Sequence, residues 1–249
     1  MVVLKTSREL GIMKEACRIS AGALQTVGKA VEPGVTTAEL DRLAEKYIRS
    51  QGAVPNFKNY CGYPATACIS INNEVIHGIP SAKRVIKAGD IVSVDLGAMF
   101  NGYHGDNAAT FACGDISDEA KRLMQTTKDA LYEGIAAATA GSRIGDISYA
   151  IQRTVEAAGF SVVRQYVGHG IGTELHEAPE VPNFGTAGRG IRLLPGMTLA
   201  IEPMVNVGGF DVKVLPDGWT VLTKDGSLSA HFEHTVVITP DGPKIMTLI

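Results

Sequence analysis

Along residues 36–48, apolar positions recur at the three-and-four spacing of a single helical face. Leu40, Leu43, Ala44, Tyr47 and Ile48 form the stripe, and Thr36 stands three residues before Glu39 in the arrangement of a helix capping box. Further along, Ile144, Ile147, Ile151, Val155 and Ala158 make a second stripe of the same kind. A longer helical pattern precedes each stripe, over roughly residues 8–30 and 118–138. Short apolar runs that predict strands follow each, among them Ile91–Leu96 and Met197–Ile201.

The two series are copies in register. A constant shift of 107 positions, the separation of Asp95 and Glu202, also carries Gly34 onto Gly141, Leu40 onto Ile147, Gly52 onto Gly159, Gly89 onto Gly196 and Val94 onto Ile201. Each half then reads as two helices followed by a small sheet, an α+β arrangement with the repeat at roughly residues 7–112 and 117–239 of one domain spanning 1–249. A duplicated fold sets its copies about a pseudo-two-fold axis, so acids on equivalent strands converge near the middle.

Bulk composition narrows the function classes. With 45% hydrophobic residues in 249, the chain can build a substantial core. A net charge of -3 and no Lys/Arg run longer than Lys83-Arg84 argue against nucleic acid or an anionic membrane surface as a partner. No stretch approaches the ~18 apolar residues of a membrane span, and the first residues lack the apolar core of a signal peptide. Cys17, Cys61, Cys68 and Cys113 are scattered without a C-x-x-C pair, which predicts free thiols and a cytoplasmic location.

Three clusters carry chemistry. The first is Val94-Asp95-Leu96-Gly97 with His104-Gly105-Asp106; Asp95 ends an apolar run, and two short strands joined by a Gly-containing turn would bring Asp106 beside it. Adjacent buried carboxylates need a cation or a shared proton between them, although Asp106 next to Gly105 also suits a turn. The second is Ile201-Glu202-Pro203 with Phe232-Glu233-His234, where Glu233 answers to Asp106 once an insertion of 20 residues between Asn206 and Ala230 is allowed. That insertion holds Gly208-Gly209 and Trp219 and reads as a hairpin or lip. The third is Gly168-His169-Gly170-Ile171-Gly172 followed by His176-Glu177; it lacks the signatures of a P-loop or a dinucleotide fold. Four carboxylates and one imidazole suit a pair of divalent first-row ions better than one structural zinc. Two such ions acidify a shared water and polarise a carbonyl, which points to metal-assisted hydrolysis of an acyl compound.

As a set, Ser70–Pro80 (with Asn72, Asn73 and His77-Gly78), Val94–Gly97, Asp106, Gly168–Gly172, His176-Glu177, Ile201–Met204 and Phe232–Thr235 resemble the type I, bacterial-type methionine aminopeptidases of the pita-bread fold. The resemblance runs nearly the whole length. It implies that Asp95 chelates one ion, that Asp106 and Glu233 bridge both, and that His169 and Glu202 complete the other. The ions would be Fe, Mn, Co or Zn. His77 and His176 would hydrogen-bond the substrate and the tetrahedral intermediate, and Glu202 would pass a proton from water to the leaving amine. Tyr60, Tyr63, Cys68 and Trp219 would line an apolar methionine pocket.

By the same resemblance, the partner is a peptide or nascent-chain N-terminus beginning with Met, with the ribosome a further partner, and the protein is a monomer. Leu175 stands where related enzymes often carry an aromatic residue, and Cys61 where a histidine is common. The competing readings are a prolidase or Xaa-Pro aminopeptidase, which usually carries an extra N-terminal domain, and a non-catalytic binding protein on the same fold, which typically lacks ligands.

Overall fold

The computed structural model describes residues 2–248. Helix α1 (Ser7–Gly28) starts at a capping box in which Thr6 accepts from the Glu9 N–H and the Glu9 carboxylate accepts from the Thr6 N–H. Helix α2 (Thr37–Ser50) repeats that box with Thr36 and Glu39 and buries Leu40, Ala44 and Ile48. In the second half, α3 (Asp118–Ala137) and α4 (Ile144–Ala157) hold the same places, and α4 buries Ile144, Ile147, Ile151 and Val155. At the start of α4 only one arm of the box recurs, the Arg143 N–H donating to the Asp146 carboxylate at 2.7 Å.

The two small sheets expected from the repeat are in fact joined into one. Its central path runs Val54–Pro55, Ile91–Phe100, Tyr103–Ala112, Glu233–Thr239, Thr198–Ile201, Gly168–Gly170 and Glu177–Val181, all antiparallel. The halves meet where Glu233–Thr239 pairs with Tyr103–Ala112, so the pseudo-two-fold axis passes between the strands that carry Asp106 and Glu233. Separate cores back the two halves on the helix side. Ile19, Leu40, Ile48, Val92, Val94 and Leu96 fill one; Leu131, Ile147, Ile151, Leu199, Ile201 and Val236 fill the other.

The 20-residue insertion is a hairpin, Val212–Val214 with Val221–Thr223, and it docks against Glu74–Ile76 of the first half. All four cysteines are free thiols. Among the described residues, no helix is long and apolar enough to cross a membrane.

Candidate active site

Strand parity gathers the acids. Asp95 pairs with Ala108, and Ala108 pairs with Glu233, so these three form a row across three strands. Asp106 lies opposite Gly97 on the same face, diagonal to Asp95. The diagonal offset arises because the strands are longer than expected, ten residues each, turning at Asn101-Gly102. His169 pairs with Ala200, which pairs with Thr235, so its side chain shares the parity of Glu233; Glu202 follows two residues after Ala200. Val94, Leu96 and Ile201 point the other way, into the cores. The five residues singled out as ligands thus leave one sheet face, and all five line a cavity of about 230 Å³.

Burial governs their electrostatics. It pushes the Asp95 carboxyl up to about 7 and that of Glu202 up to about 8. Asp106 and Glu233 are held well above the ordinary carboxylate range by burial and then by one another's neighbours, Asp95 and Glu202 for Asp106, and Asp106 and Glu202 for Glu233. Burial also drives His169 down to about 3, so its imidazole is neutral. The His169 Nδ1–H donates to the Gly170 carbonyl at 2.9 Å, which leaves Nε2 with its lone pair facing the acids.

Asp95 Oδ1, Asp106 Oδ1 and Glu233 Oε1 are buried oxygens without a hydrogen-bond partner among the described residues. One ligand atom from each of Asp106, His169 and Glu233 lies within 4.8 Å of the others, and Glu202 Oε1 is 3.6 Å from His169 Nε2. Clustered, unpaired, mutually repelling carboxylates beside a free imidazole lone pair fit divalent first-row cations.

The glycines around His169 have a steric reason. A Cβ on Gly168 would sit 2.4 Å from the Ala200 carbonyl oxygen, and one on Gly170 would sit 2.4 Å from that of Ala178. The short strand can lie this close to its neighbours only without side chains there. His77 adopts φ 59, a left-handed conformation that costs a non-glycine residue on the order of 1–3 kcal/mol. It turns the ring toward Trp219, with centroids 6.2 Å apart, and burial lowers its pKa to about 4. His176 lies 4.2 Å from the His169 ring, and its Nδ1 shares a 2.8 Å hydrogen bond with the Tyr60 hydroxyl.

Tyr63 and Cys68 are buried at the apolar end of the same cavity. The Tyr63 hydroxyl lies 3.1 Å from both the Ala67 and Gly78 carbonyls, which fixes the ring edge-on to Trp219 at 5.1 Å. The inserted hairpin is therefore what brings Trp219 to the pocket.

A family model for metallopeptidase family M24 matches residues 11–240. The chain belongs to this family. Within M24 it is 55% identical over 248 residues to the methionine aminopeptidase of Clostridium acetobutylicum, covering 100% of this chain and 99% of that protein. It superposes on the crystal structure of methionine aminopeptidase from Thermotoga maritima with a TM-score of 0.99 at 46% identity, covering all of both chains. The prolidase of Pyrococcus furiosus gives a TM-score of 0.80 at 25% identity, and this chain spans only 66% of it. The pita-bread fold is thus common to both branches, and the likeness falls on the methionine aminopeptidase side. As an M24 member the chain is a metal-dependent hydrolase.

Leu175 and Cys61 both line the cavity: Leu175 is buried, and Cys61 is exposed with φ 48. Three supporting residues escaped the sequence reading. The Thr235 hydroxyl both accepts from the Asp106 N–H at 3.0 Å and donates to the Asp106 carbonyl at 2.8 Å, bridging the halves at the acid row. Asn183 donates to the Glu202 carbonyl at 3.1 Å. His231 places Nε2 3.6 Å from Glu202 Oε2. A signal for His231 was present: it precedes Glu233 by two residues, as His104 precedes Asp106.

Proposed function

We propose that this chain removes N-terminal methionine from peptides and nascent chains whose second residue is small, as one catalytic domain spanning 1–249 and carrying two divalent ions. The observation that carries the reading is the union of two features in one cavity: five convergent metal donors, and an apolar slot closed by Tyr63, Cys68 and Trp219. Asp95 would hold one ion and His169 and Glu202 the other, with Asp106 and Glu233 shared between them. When bound, the ions supply an acidified water and a Lewis acid for the scissile carbonyl.

The protein's own groups do the rest. The slot buries the thioether and orients the chain. His77 and His176 donate hydrogen bonds to the carbonyl oxygen as charge develops on it. Glu202 takes a proton from the attacking water and delivers it to the leaving amine. The names of the full-length relatives support methionine as the substrate. Action in the cytoplasm, as a monomer, on chains leaving the ribosome completes the reading. The donor set accepts Fe, Mn, Co or Zn.

The test is to strip the protein with chelator, restore Mn²⁺, Fe²⁺ or Co²⁺, and follow peptides by mass spectrometry. Peptides beginning Met-Gly and Met-Ala should lose methionine, while those beginning Met-Lys, Leu-Gly or Ala-Pro remain intact. Preferred cleavage of Ala-Pro would transfer the chain to the proline peptidases. No cleavage with any metal would leave a binding protein.

A further inference from the structure

Glu202 lies between two imidazoles. His169 Nε2 is 3.6 Å from its Oε1, and His231 Nε2 is 3.6 Å from its Oε2. The His231 side chain is almost fully enclosed, at 1% exposure, and its Nε2 has no hydrogen-bond partner among the described residues. Its backbone is pinned. The N–H donates to Thr110 Oγ1 at 3.0 Å, the carbonyl accepts from the same hydroxyl at 2.9 Å, and the residue pairs with Met204, two positions beyond Glu202. The ring is therefore held toward that carboxylate. Leaving a buried polar nitrogen unpaired is destabilising, a penalty that a partner in the loaded centre would remove.

The two equal gaps call for different chemistry. His169 has committed its Nδ1–H to the Gly170 carbonyl, so its Nε2 offers a lone pair and cannot donate to Glu202. Two ligands of one ion stand about 3–3.5 Å apart when each bond is about 2.1 Å, so that gap suits a shared cation. An ion held by His169 Nε2 and Glu202 Oε1 leaves Oε2 as an acceptor. A movement of about half an ångström brings Oε2 within hydrogen-bond reach of a proton on His231 Nε2.

We propose that His231 is a positioning residue of the metal centre, donating from Nε2 to Glu202 Oε2 so that Oε1 alone is presented to the ion shared with His169. The proposal rests on the ligand assignment given under the proposed function. Beside His169, it gives the metal centre a second imidazole, one that acts on a ligand and not on the ion.

Calorimetry with Co²⁺ and the visible spectrum of the Co²⁺ protein test it, with variants His231→Ala and His231→Gln. Loss of the donor should weaken Co²⁺ binding about tenfold or more, the scale typical of groups that orient metal ligands, and should shift the visible bands. Glutamine, whose amide can donate from nearly the same place, should restore binding to within about threefold of wild type. Unaltered affinity and spectrum in His231→Ala would overturn the proposal. So would equal losses in both variants, because the imidazole would then be needed as a direct ligand.

A measurement on the unaltered protein guards against misfolded variants. In the Zn²⁺-loaded form, nitrogen-edited NMR should find a proton on His231 Nε2, assigned through its neighbours Thr110 and Phe232, and none on His169 Nε2. A deprotonated, metal-bound His231 Nε2 would refute the role. Failure of the wild type to bind Co²⁺ at all would instead sink the ligand assignment.

Discussion

In the first half, His104 stands two residues before Asp106; in the second, His231 stands two before Glu233. The strand Tyr103–Ala112 runs unbroken through its histidine, which pairs with Met99 and turns its ring to Asn56 Oδ1 at 2.9 Å. The second half breaks at Phe232, between Ser229–His231 and Glu233–Thr239. His231 thereby enters a different, three-stranded sheet and faces Glu202. His169 has no counterpart at all, since the 107-residue shift places it on Gly62, at the end of a short 3-10 helix outside the sheet. Duplication thus supplies the carboxylates in symmetric pairs, while local breaks in the repeat supply the imidazoles. The asymmetry of the site comes from those breaks.

The strongest test of that comparison removes the symmetric pair. Asp106→Ala and Glu233→Ala should each lose metal and activity together. The loss in kcat/KM should exceed the about 10–100-fold expected from disturbing groups that merely orient ligands. Metal analysis beside kinetics checks it. Retention of both ions by either variant would contradict the bridging assignment.

His77 belongs to neither copy of the acid motif, and its effect should separate chemistry from metal binding. His77→Ala should keep its metal and lower kcat by about 10²–10³, the scale of removing one donor aimed at developing charge. Parallel loss of metal would show that the residue supports the centre instead.

The equivalent acids Asp95 and Glu202 should reveal themselves in the metal-free protein. Burial raises them to about 7 and about 8, above unfolded values of about 4. Their contribution is therefore fully present below those unfolded values and is lost as pH rises through about 7–8. His169 and His77 oppose this in acid. Lowered to about 3 and about 4, they favour the fold above their unfolded values and lose that contribution as pH falls through about 4–3.

Metal-free stability should accordingly decline between pH 6 and about 8.5. Divalent ion should stabilise increasingly over the same range, because it replaces the protons. Asp95→Asn should raise metal-free stability by about 2–3 kcal/mol more at alkaline pH than near pH 5. Urea unfolding at the two pH values decides the matter. Equal effects at both would mean that Asp95 is not a protonated buried acid.

Much of this was legible in the sequence where a local rule is strong. Thr36 with Glu39, the stripe from Leu40 to Ile48, and the match of Asp95 to Glu202 each depend on spacing alone. Joining of the two sheets was not legible, because antiparallel pairing of Tyr103–Ala112 with Glu233–Thr239 links residues far apart in sequence. The Thr235 bond to Asp106 was hidden for the same reason. His231 was obscured differently: a period-two reading treats residues 231 and 233 as one strand, and only the break at Phe232 gives the histidine its own direction. The placement of Trp219 needed the docking of the inserted hairpin on Glu74–Ile76, which no feature of the hairpin itself announces.

The smallest effects belong at the cavity wall, to which each half contributes one apolar or thiol residue, Cys61 from the first and Leu175 from the second. The two differ in burial, so they should respond to substitution in opposite currencies. Leu175 is 1% exposed, packs with Met13 and Ile171 and forms part of the cavity wall, so Leu175→Phe must displace those neighbours or take up part of the cavity. It should destabilise by about 1–3 kcal/mol and disturb turnover through the adjoining His176. Cys61 is exposed and free, and Cys61→His should change stability by no more than about 0.5 kcal/mol. Its consequence should be confined to KM, because the new ring meets the peptide only at the entrance. Thermal unfolding and steady-state kinetics on a Met-Ala peptide separate these outcomes. A destabilised Cys61→His, or a Leu175→Phe that folds and turns over like the parent, would show that the wall is packed otherwise than its burial implies.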